Sequence, residues 1–309
     1  IYVAGHNGML GSAIVRLLIK KGYNNIITKT SDELNLRNQK NVNDFLKNEK
    51  PYIIILAAAK VGSIQENKEN PAEFLIENIQ IEMNVINSAF KNNIKNLIFV
   101  ASSTVYPKTA KQPLKEEYIL NGQLESENEA YGLSKLIGIK ACQYYNQEYN
   151  LNYISVLPTN LYGINAKFDT EHSNVIAGIM VRMYNAKIFK SPNMKIWGSG
   201  KVYREFINVD DAADAIIFLL ENHTNEFFIN LGAGGDISIK ELAEMMKNVL
   251  NYNGELIFDT TKPDGIKCRR LNTQKMDSLG WKPKISLKEG LKQTYEWYLN
   301  NEINGDKND

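Results

Sequence analysis

The chain has 309 residues, 35.1 kDa and 43% hydrophobic content, enough to bury a sizeable core in one large domain or two closely packed ones. Its 36 Lys and Arg nearly balance 35 Asp and Glu, which excludes the strongly basic surface typical of proteins that bind nucleic acid or anionic lipid. No apolar run approaches the ~20 residues that span a bilayer. Two cysteines and three histidines are too few for a disulfide scaffold or a structural zinc site. We expect a cytoplasmic protein without a metal, partnered with neither nucleic acid nor membrane.

Short apolar segments alternate with longer segments of helical period along the first half of the chain. The predicted strands are residues 1–4, 25–28, 52–57, 97–101 and 153–157, and the predicted helices are residues 12–20, 74–90 and 131–149. This alternation is typical of βαβ units. The strands are almost continuously apolar, as expected when both faces of a parallel sheet are covered.

The regular pattern breaks near residue 161 and returns at residues 204–231 as strand, helix and strand. Amphipathic helices are then predicted at 237–250 and 287–299. We therefore predict a Rossmann-type doubly wound α/β fold, with residues 1–161 and 204–230 as the dinucleotide-binding domain. Residues 162–203 and 231–301 are predicted to form a smaller discontinuous α/β substrate domain, and residues 302–309 a flexible tail.

A glycine motif lies between the first predicted strand and the first predicted helix. It reads Gly5-His6-Asn7-Gly8-Met9-Leu10-Gly11. In a dinucleotide-binding turn the first glycine makes the tight turn, the second admits the pyrophosphate and the third lets the helix pack on the strand. The helix N-terminus then faces the phosphates. An ordinary strand-to-helix turn remains the alternative for this motif taken alone.

Two further motifs carry groups suited to proton transfer. Tyr131 and Lys135 are four residues apart on one predicted helix and so share a face. A lysine cation beside a phenol lowers the phenol pKa from ~10, which favours proton exchange near neutral pH. Ser102, Ser103 and Thr104 follow the fourth apolar strand. In an open α/β sheet this is the end where ligands bind.

The conjunction of these three motifs resembles the extended short-chain dehydrogenase/reductase family over almost the whole chain. Further segments are similar to its GDP-fucose synthase branch: Ala57-Ala58-Ala59-Lys60-Val61-Gly62, Tyr106-Pro107-Lys108, Pro158-Thr159-Asn160-Leu161-Tyr162-Gly163, Trp197-Gly198-Ser199-Gly200, Arg204-Glu205-Phe206, Val209-Asp210-Asp211 and Lys262-Pro263-Asp264-Gly265. Enzymes of that branch bind a nucleotide-linked 4-keto-6-deoxy sugar, epimerise C3 and C5, and reduce C4 with NADPH.

The resemblance implies a role for each matching residue. Tyr131 would give a proton to the C4 oxygen, Lys135 would be its electrostatic partner and hold the nicotinamide ribose, and Ser102 would position the ketone, with Thr104 beside them. The implied cofactor contacts are Gly5, Asn7, Gly8, Met9, Leu10, Gly11, Lys29, Ser31, Ala57, Ala58, Ala59, Ser102, Tyr131, Lys135, Pro158, Asn160 and Leu161. The implied substrate contacts are Ser103, Asn160, Asn174, Arg182, Trp197, Arg204 and Asp264. The resemblance also implies a homodimer built through the helices at 74–90 and 131–149.

The sequence departs from the branch at the epimerising residues. Epimerisation beside a ketone needs a base and an acid. The family supplies a cysteine and a histidine at the places that hold Thr104 and Asn174 here. Neither a hydroxyl nor a carboxamide titrates near pH 7. We therefore predict a C4 ketoreductase of a GDP-linked 4-keto-6-deoxy sugar, hexose or heptose, without C3/C5 epimerase activity, in bacterial surface-carbohydrate precursor synthesis. His172 is the remaining candidate for an epimerising group.

The cofactor prediction is NADP(H), with NAD(H) left open. Relatives commonly carry arginines where Asn7 and Ser31 stand, but Lys29 and Arg37 lie nearby. Other activities stay open as well: a bifunctional GDP-fucose synthase, a nucleotide-sugar 4-epimerase that recycles its own NAD, and a non-catalytic dinucleotide sensor. A 4,6-dehydratase is disfavoured, because Thr104-Val105 replaces the acid pair that elimination needs.

Overall fold

The computed structural model describes residues 1–169, 173–222, 224, 226–261 and 264–305. Strands run as β1 Tyr2–Ala4, β2 Ile53–Leu56, β3 Asn96–Val100, β4 Asn152–Pro158, β5 Asn160–Tyr162, β6 Asn193–Trp197, β7 Tyr203–Arg204, β8 Phe206–Asn208, β9 Phe228–Leu231, β10 Ile237–Ser238, β11 Glu255–Asp259 and β12 Cys268–Arg269. Helices run as α1 Met9–Lys20, α2 Gln39–Glu49, α3 Ile64–Glu69, α4 Pro71–Lys91, α5 Glu129–Tyr149, α6 Val175–Ile188, α7 Val209–Glu221, α8 Ile239–Leu250, α9 Gln274–Leu279 and α10 Leu287–Tyr298.

The central sheet is parallel and five-stranded, in the order β1-β2-β3-β4-β9. Its strands are short apolar runs buried on both faces. Helices α2, α4 and α5 pack on one face, and α1 and α7 pack on the other. The predicted doubly wound α/β fold is confirmed. Because every strand points the same way, the carboxyl ends share one edge, where such folds bind ligands.

The strand predicted at residues 25–28 is wrong in extent. Ile27 alone bridges to Tyr2, through Val3 N donating to the Ile27 carbonyl at 3.0 Å and Ile27 N donating to the Ile1 carbonyl at 2.8 Å. The segment lies at the sheet edge beside the three-residue β1, so it has a single short neighbour to pair with. The polar helix α2 was not predicted, because only Val42 and Leu46 of its eleven residues are buried.

A third buried cluster joins α6, α8 and α10 with the β6–β11 pair, in the part of the chain where a substrate domain is predicted. Met276 and Trp281 fall within residues 231–301 but pack instead into the core shared by α1 and α7. Residues 302 and 303, predicted as flexible, lie in a π-helical turn over Leu299–Ile303. In the part of the chain described, no helix is long and apolar enough to cross a membrane, and no group of three or more acidic, His or Cys side chains could hold a metal ion.

Candidate active site

The glycine loop forms a closely packed backbone cradle at the end of β1. Gly5 has φ +86°, and a Cβ there would lie 2.6 Å from the Ala58 nitrogen. At Gly11 a Cβ would lie 2.0 Å from the Gly5 carbonyl oxygen. Gly8 is the N-cap of α1 and offers no side-chain cap, so the first N–H groups of α1 are left for a ligand. This backbone fits a dinucleotide pyrophosphate, because its space exists only without side chains and its exposed N–H groups favour an anion.

Some of the residues predicted to contact the cofactor lie beside the glycine loop. Ala57 hydrogen-bonds to the Ala4 carbonyl at 3.0 Å, so the three alanines leave β2 directly beside the glycine loop. Lys29 follows the Ile27 bridge, with its ammonium 3.3 Å from Glu33. Arg37 is paired with Glu77 at 3.0 Å, so each of these two cations already has a carboxylate partner. The predicted contacts of Asn7, Met9, Leu10 and Ser31 remain predictions.

The hydroxyls after β3 adopt the geometry of a short turn at the ligand-binding edge. Ser102 caps a 3-10 turn over Ser103–Val105, its Oγ accepting from Thr104 N at 3.2 Å. The Thr104 hydroxyl is buried and has no hydrogen-bond partner among the described residues. A buried hydroxyl left unpaired costs free energy, so Thr104 is suited to bind a polar substrate group.

Tyr131 and Lys135 come together on α5 below this turn. Lys135 Nζ lies 5.6 Å from the Tyr131 ring centroid and donates to the Val100 carbonyl at 3.3 Å. The same ammonium lies 3.0 Å from Glu82 Oε1 on α4, and both side chains are almost fully buried. Sequence reasoning missed Glu82. Its only signal was an acidic residue on the buried, otherwise largely apolar face of α4.

The expected fall in the Tyr131 pKa is wrong for the cofactor-free protein. Burial raises the pKa of Tyr131, and the negative charge of Glu82 raises it further, while Lys135 and a hydrogen bond with Ser102 lower it. The net direction is upward. The lysine effect exists, but desolvation outweighs it. Tyr131 is therefore a protonated phenol near neutral pH and suited to donate a proton.

The predicted substrate contacts Arg182, Trp197, Arg204 and Asp264 each contact a neighbouring residue, and we call this set the arginine strip. The Arg182 guanidinium lies 5.0 Å from the Trp197 ring centroid, and its Nε is buried without a hydrogen-bond partner in the described ranges. Beyond Trp197, Ser199 donates to Asp264 from its backbone nitrogen at 2.6 Å and its hydroxyl at 2.7 Å. Arg204 donates to the Ile266 carbonyl at 2.6 Å on the same loop. Burial is the main cause that lowers the pKa of both Arg182 and Arg204, and for Arg204 the carboxylates of Glu125 and Asp264 oppose it.

Arg269 was missed and joins this strip. Its guanidinium lies 2.9 Å from Glu125, just before α5, and its charge contributes to lowering the pKa of Arg204. The Glu125 contact links the arginine strip to the helix that carries Tyr131. One ion pair thus joins β12 to the segment that precedes α5. No spacing in the sequence marks a pair separated by 144 positions.

Asn174 and Asn160 use their amides within the protein. Asn174 caps α6, accepting from Ala177 N at 3.0 Å, and donates to the Leu161 carbonyl at 3.3 Å. Asn160 donates to the Glu205 carbonyl at 2.8 Å, while Pro158 ends β4 opposite Leu231. The substrate and cofactor contacts predicted for these residues and for Ser103 remain predictions. His172, Lys262 and Pro263 lie outside the described residues.

Residues 1–232 match the profile of the NAD dependent epimerase/dehydratase family. The chain is 48% identical over 303 residues to a putative GDP-L-fucose synthase 2 of Arabidopsis thaliana, covering 98% of this chain and 92% of that protein. It is 42% identical over 311 residues to the GDP-L-fucose synthase of Escherichia coli K12, covering 98% and 97%.

Solved structures extend the likeness. A GDP-6-OMe-4-keto-L-xylo-heptose reductase from C. jejuni superposes with a TM-score of 0.92 at 39% identity, covering 97% of each chain. A GDP-mannoheptose C4 reductase from Campylobacter jejuni with NADP bound gives a TM-score of 0.88 at 40% identity, covering 96% of this chain and 97% of that one. These proteins share with this chain both the fold and a sequence similarity that extends over nearly its whole length.

Proposed function

The chain belongs to the NAD dependent epimerase/dehydratase family, and from this premise we propose that it is an NADPH-dependent C4 ketoreductase of a GDP-linked 4-keto-6-deoxy sugar without C3/C5 epimerase activity. It is an NADP(H)-dependent oxidoreductase of nucleotide-sugar ketones within a group of GDP-sugar synthases and reductases. To this class of enzyme we add two specific points: the reaction is reduction at C4, and it is not accompanied by epimerisation at C3 or C5. The observation that carries it is the pair Thr104 and Asn174, which stand where the resembling branch has a thiol and an imidazole.

The reductive half of the site needs only groups that are present. Ser102 would hold the ketone oxygen, and Tyr131, a neutral phenol, would give that oxygen a proton as it becomes a hydroxyl. The Gly5–Gly11 loop and the Lys135 ammonium would hold NADPH, which supplies the hydride when bound. The arginines Arg182 and Arg204 would receive the diphosphate, since paired guanidinium groups suit phosphate oxygens.

The epimerising half lacks titrating groups at its two positions. Removing a proton from carbon needs a base whose pKa lies near the working pH. The Thr104 hydroxyl is a hydrogen-bonding group, and the Asn174 amide is already engaged at the start of α6. Both side chains are therefore suited to hydrogen bonding and not to removing a proton from C3 or C5 of the sugar.

Deuterium incorporation tests this proposal directly. The purified protein is incubated with GDP-4-keto-6-deoxymannose in deuterated water without reduced cofactor, with the Escherichia coli relative as the positive control. We expect no deuterium at C3 or C5 by NMR, and deuterium at either carbon would refute the proposal. Adding NADPH and a panel of GDP-linked 4-keto hexoses and heptoses, followed by NMR of each product, then identifies the sugar and the C4 configuration.

The second candidate is a bifunctional GDP-L-fucose synthase. The 48% identity to the Arabidopsis protein favours it, and the deuterium experiment separates the two. A non-catalytic dinucleotide sensor would be unaffected by Tyr131→Phe, whereas we expect the reductase to lose at least about 10²-fold in kcat because the phenolic proton is gone.

We also propose that the enzyme is a cytoplasmic homodimer serving bacterial surface-carbohydrate precursor synthesis. The supporting feature is an exposed apolar set on the packed helices α4 and α5, namely Ile76, Leu133, Ile137, Tyr144 and Tyr149. Such a set is suited to a four-helix interface around a two-fold axis. Light scattering of Ile137→Glu, with the exposed Phe189→Glu as control, tests the interface, and an unchanged mass for Ile137→Glu would contradict it.

A further inference from the structure

A buried carboxylate faces the proton-donating pair from outside the known motif. Glu82 lies in the middle of α4 and is 0% exposed, and its Oε1 is 3.0 Å from Lys135 Nζ, which is itself 1% exposed. Neither Oε1 nor Oε2 has a hydrogen-bond donor in the described part of the chain, so the contact with Lys135 is an ion pair. Burying an ion pair carries a large desolvation cost, and stability alone rarely repays it. A role in the chemistry of Lys135 accounts for a buried ion pair at this position.

The neighbouring side chains leave room for this carboxylate. Gly138 lies one turn after Lys135 on α5, and a Cβ there would come within 2.8 Å of Glu82 Oε2 and 2.5 Å of the Phe99 ring. The Phe99 ring in turn lies 4.9 Å from Lys135 Nζ. Any larger residue at position 138 would therefore displace the carboxylate or the ring. The contact depends on both helices, which pack against each other along the sheet.

The contacts of the Lys135 ammonium group show how the Glu82 carboxylate acts. An ammonium has three N–H donors. One is directed to the Val100 carbonyl at 3.3 Å, whereas Glu82 Oε1 lies 3.0 Å from the ammonium as a counter-charge without hydrogen-bond geometry. The Tyr131 ring centroid lies 5.6 Å from the same ammonium, where the cofactor ribose is also expected. Val100 therefore holds the ammonium by one hydrogen bond, and Glu82 holds it by charge.

We propose that Glu82 is a positioning residue of the reduction: its buried carboxylate is the counter-ion that keeps Lys135 a cation and Tyr131 a neutral, proton-donating phenol. The inference rests on the proposed reductase function and deepens it. A reductase needs the phenol protonated before each turnover. An uncompensated lysine cation in the same dry pocket would favour phenolate, the form that instead accepts a proton during alcohol oxidation.

The electrostatic directions agree with this geometry. Burial by itself lowers the pKa of Lys135, but Glu82 and Tyr131 raise it, and the net direction is upward. Glu82 likewise contributes to raising the pKa of Tyr131. Burial raises the pKa of Glu82 too, opposed by the ammonium 3.0 Å away that stabilises its charged form.

Few other titratable groups act on this cluster. Tyr131, Lys135 and Cys142 of α5 are the titratable groups with an electrostatic interaction with Glu82 among the described residues. Burial raises the pKa of the Cys142 thiol to about 12, which keeps it neutral at working pH. The buried part of α2, which also packs on α4, is the apolar pair Val42 and Leu46. The charge balance therefore rests on three groups.

Glu82→Gln removes the charge and keeps the shape. We measure kcat/KM for ketone reduction from about pH 6 to about pH 12, because the pKa of Tyr131 is raised above the ordinary ~10 of a phenol. We titrate Tyr131 over the same range by NMR of the full-length protein labelled with [13Cζ]tyrosine, assigned by the signal missing in Tyr131→Phe. The basic limb of the profile and the Tyr131 titration should both move down by about one pH unit or more. The direction holds whichever partner loses its proton first, because removing Glu82 destabilises the protonated forms of both.

The control is Glu116→Gln, which neutralises another buried carboxylate, one that accepts from Asn230 N at 3.1 Å away from the catalytic pair. It should leave both midpoints unchanged, and Glu82→Asp should restore most of the wild-type profile. If Glu82→Gln does not fold, Glu82→Met removes the charge at similar volume and carries the same expectation. A uniform loss of activity with unmoved midpoints would overturn the proposal. Because the NMR titration needs no substrate, a wild-type protein that reduces no GDP-linked ketone would fail the proposed function without touching this result.

Discussion

Replacing Gly11 by alanine tests the cofactor cradle at its tightest contact. The added methyl group would lie 2.0 Å from the Gly5 carbonyl oxygen, 2.7 Å from the Gly5 carbonyl carbon and 2.9 Å from the His6 Cα. All three neighbours are backbone atoms, so no side chain can move aside. To restore an ordinary contact of 3.4 Å, the start of α1 must move away from the loop by about 1.4 Å. The pyrophosphate cradle opens by the same displacement.

That displacement sets the expected magnitudes. Overpacking of this kind costs about 1–3 kcal/mol of stability, so Tm should fall by several degrees in a chain of this size. A cradle opened by more than 1 Å loses its backbone hydrogen bonds to the ligand, and we expect the Kd for NADPH to rise at least about tenfold, or about 1.4 kcal/mol.

Isothermal titration with NADPH and differential scanning calorimetry measure the two effects. The matched control is Gly235→Ala, since a Cβ at Gly235 would meet no atom within 4 Å and Gly235 has no positive φ. It should keep the wild-type Kd. If Gly11→Ala binds NADPH as tightly as Gly235→Ala and unfolds at the same temperature, the close approach of α1 to the loop does not form the cofactor cradle.

Three further changes test separate parts of the site. The double variant Thr104→Cys/Asn174→His should introduce deuterium at C3 or C5 of the 4-keto sugar in deuterated water, while each single variant gives less; no incorporation would show that other residues also block epimerisation. Lys29→Ala should raise KM for NADPH about tenfold and leave KM for NADH unchanged. The control Lys40→Ala, at an exposed lysine, should leave KM for both cofactors unchanged. If Lys29→Ala changes KM for NADPH and NADH equally, Lys29 does not contact the cofactor phosphate. Glu205 is fully buried, and burial raises its pKa to about 7 from 4.5. The folded state therefore holds this proton to higher pH than the unfolded chain, and Glu205 lowers stability progressively from about pH 4.5 to about pH 7, by about 3 kcal/mol in total. Calorimetry should show a smaller fall in Tm across that window for Glu205→Gln than for wild type, and parallel curves would contradict the buried-acid assignment.

The parts of the fold predicted from sequence are those that local pattern determines. The strands β1 to β4 and the helices α4 and α5 were predicted to within a few residues of their observed bounds. Each is a long or strongly apolar segment, and the spacing of its apolar residues shows which face is buried. The Gly5–Gly11 loop and the Tyr131–Lys135 pair were likewise local. The error at residues 25–28 arose because strand formation there depends on the length of the neighbouring β1, which the segment itself does not encode.

The missed parts of the site come from contacts between distant positions. Glu82 reaches Lys135 across 53 positions of sequence, and Glu125 reaches Arg269 across 144. The direction of the Tyr131 pKa was wrong for a related reason. The lysine four residues away is visible in the sequence, whereas the depth of burial and the second charge from α4 that outweigh it exist only in the folded chain.

The two chemistries that a 4-keto sugar invites make opposite demands on protonation, and this determines what one pocket can do. Reduction needs a donor that is protonated at the start of each turnover, which a dry pocket favours because burial raises the pKa of a phenol. Epimerisation needs a base that is deprotonated at the same pH, and the same burial penalises a charged base as well. A pocket can perform both only by adding groups with their own tuned pKa values beside the phenol. In this chain the buried charges of Glu82 and Lys135 act on Tyr131, and Thr104 contributes a hydroxyl that neither gains nor loses a proton near neutral pH. Under the proposed function, replacing the epimerising pair by Thr104 and Asn174 leaves the reductive electrostatics intact, since neither residue contributes a charge to the Glu82, Lys135 and Tyr131 cluster.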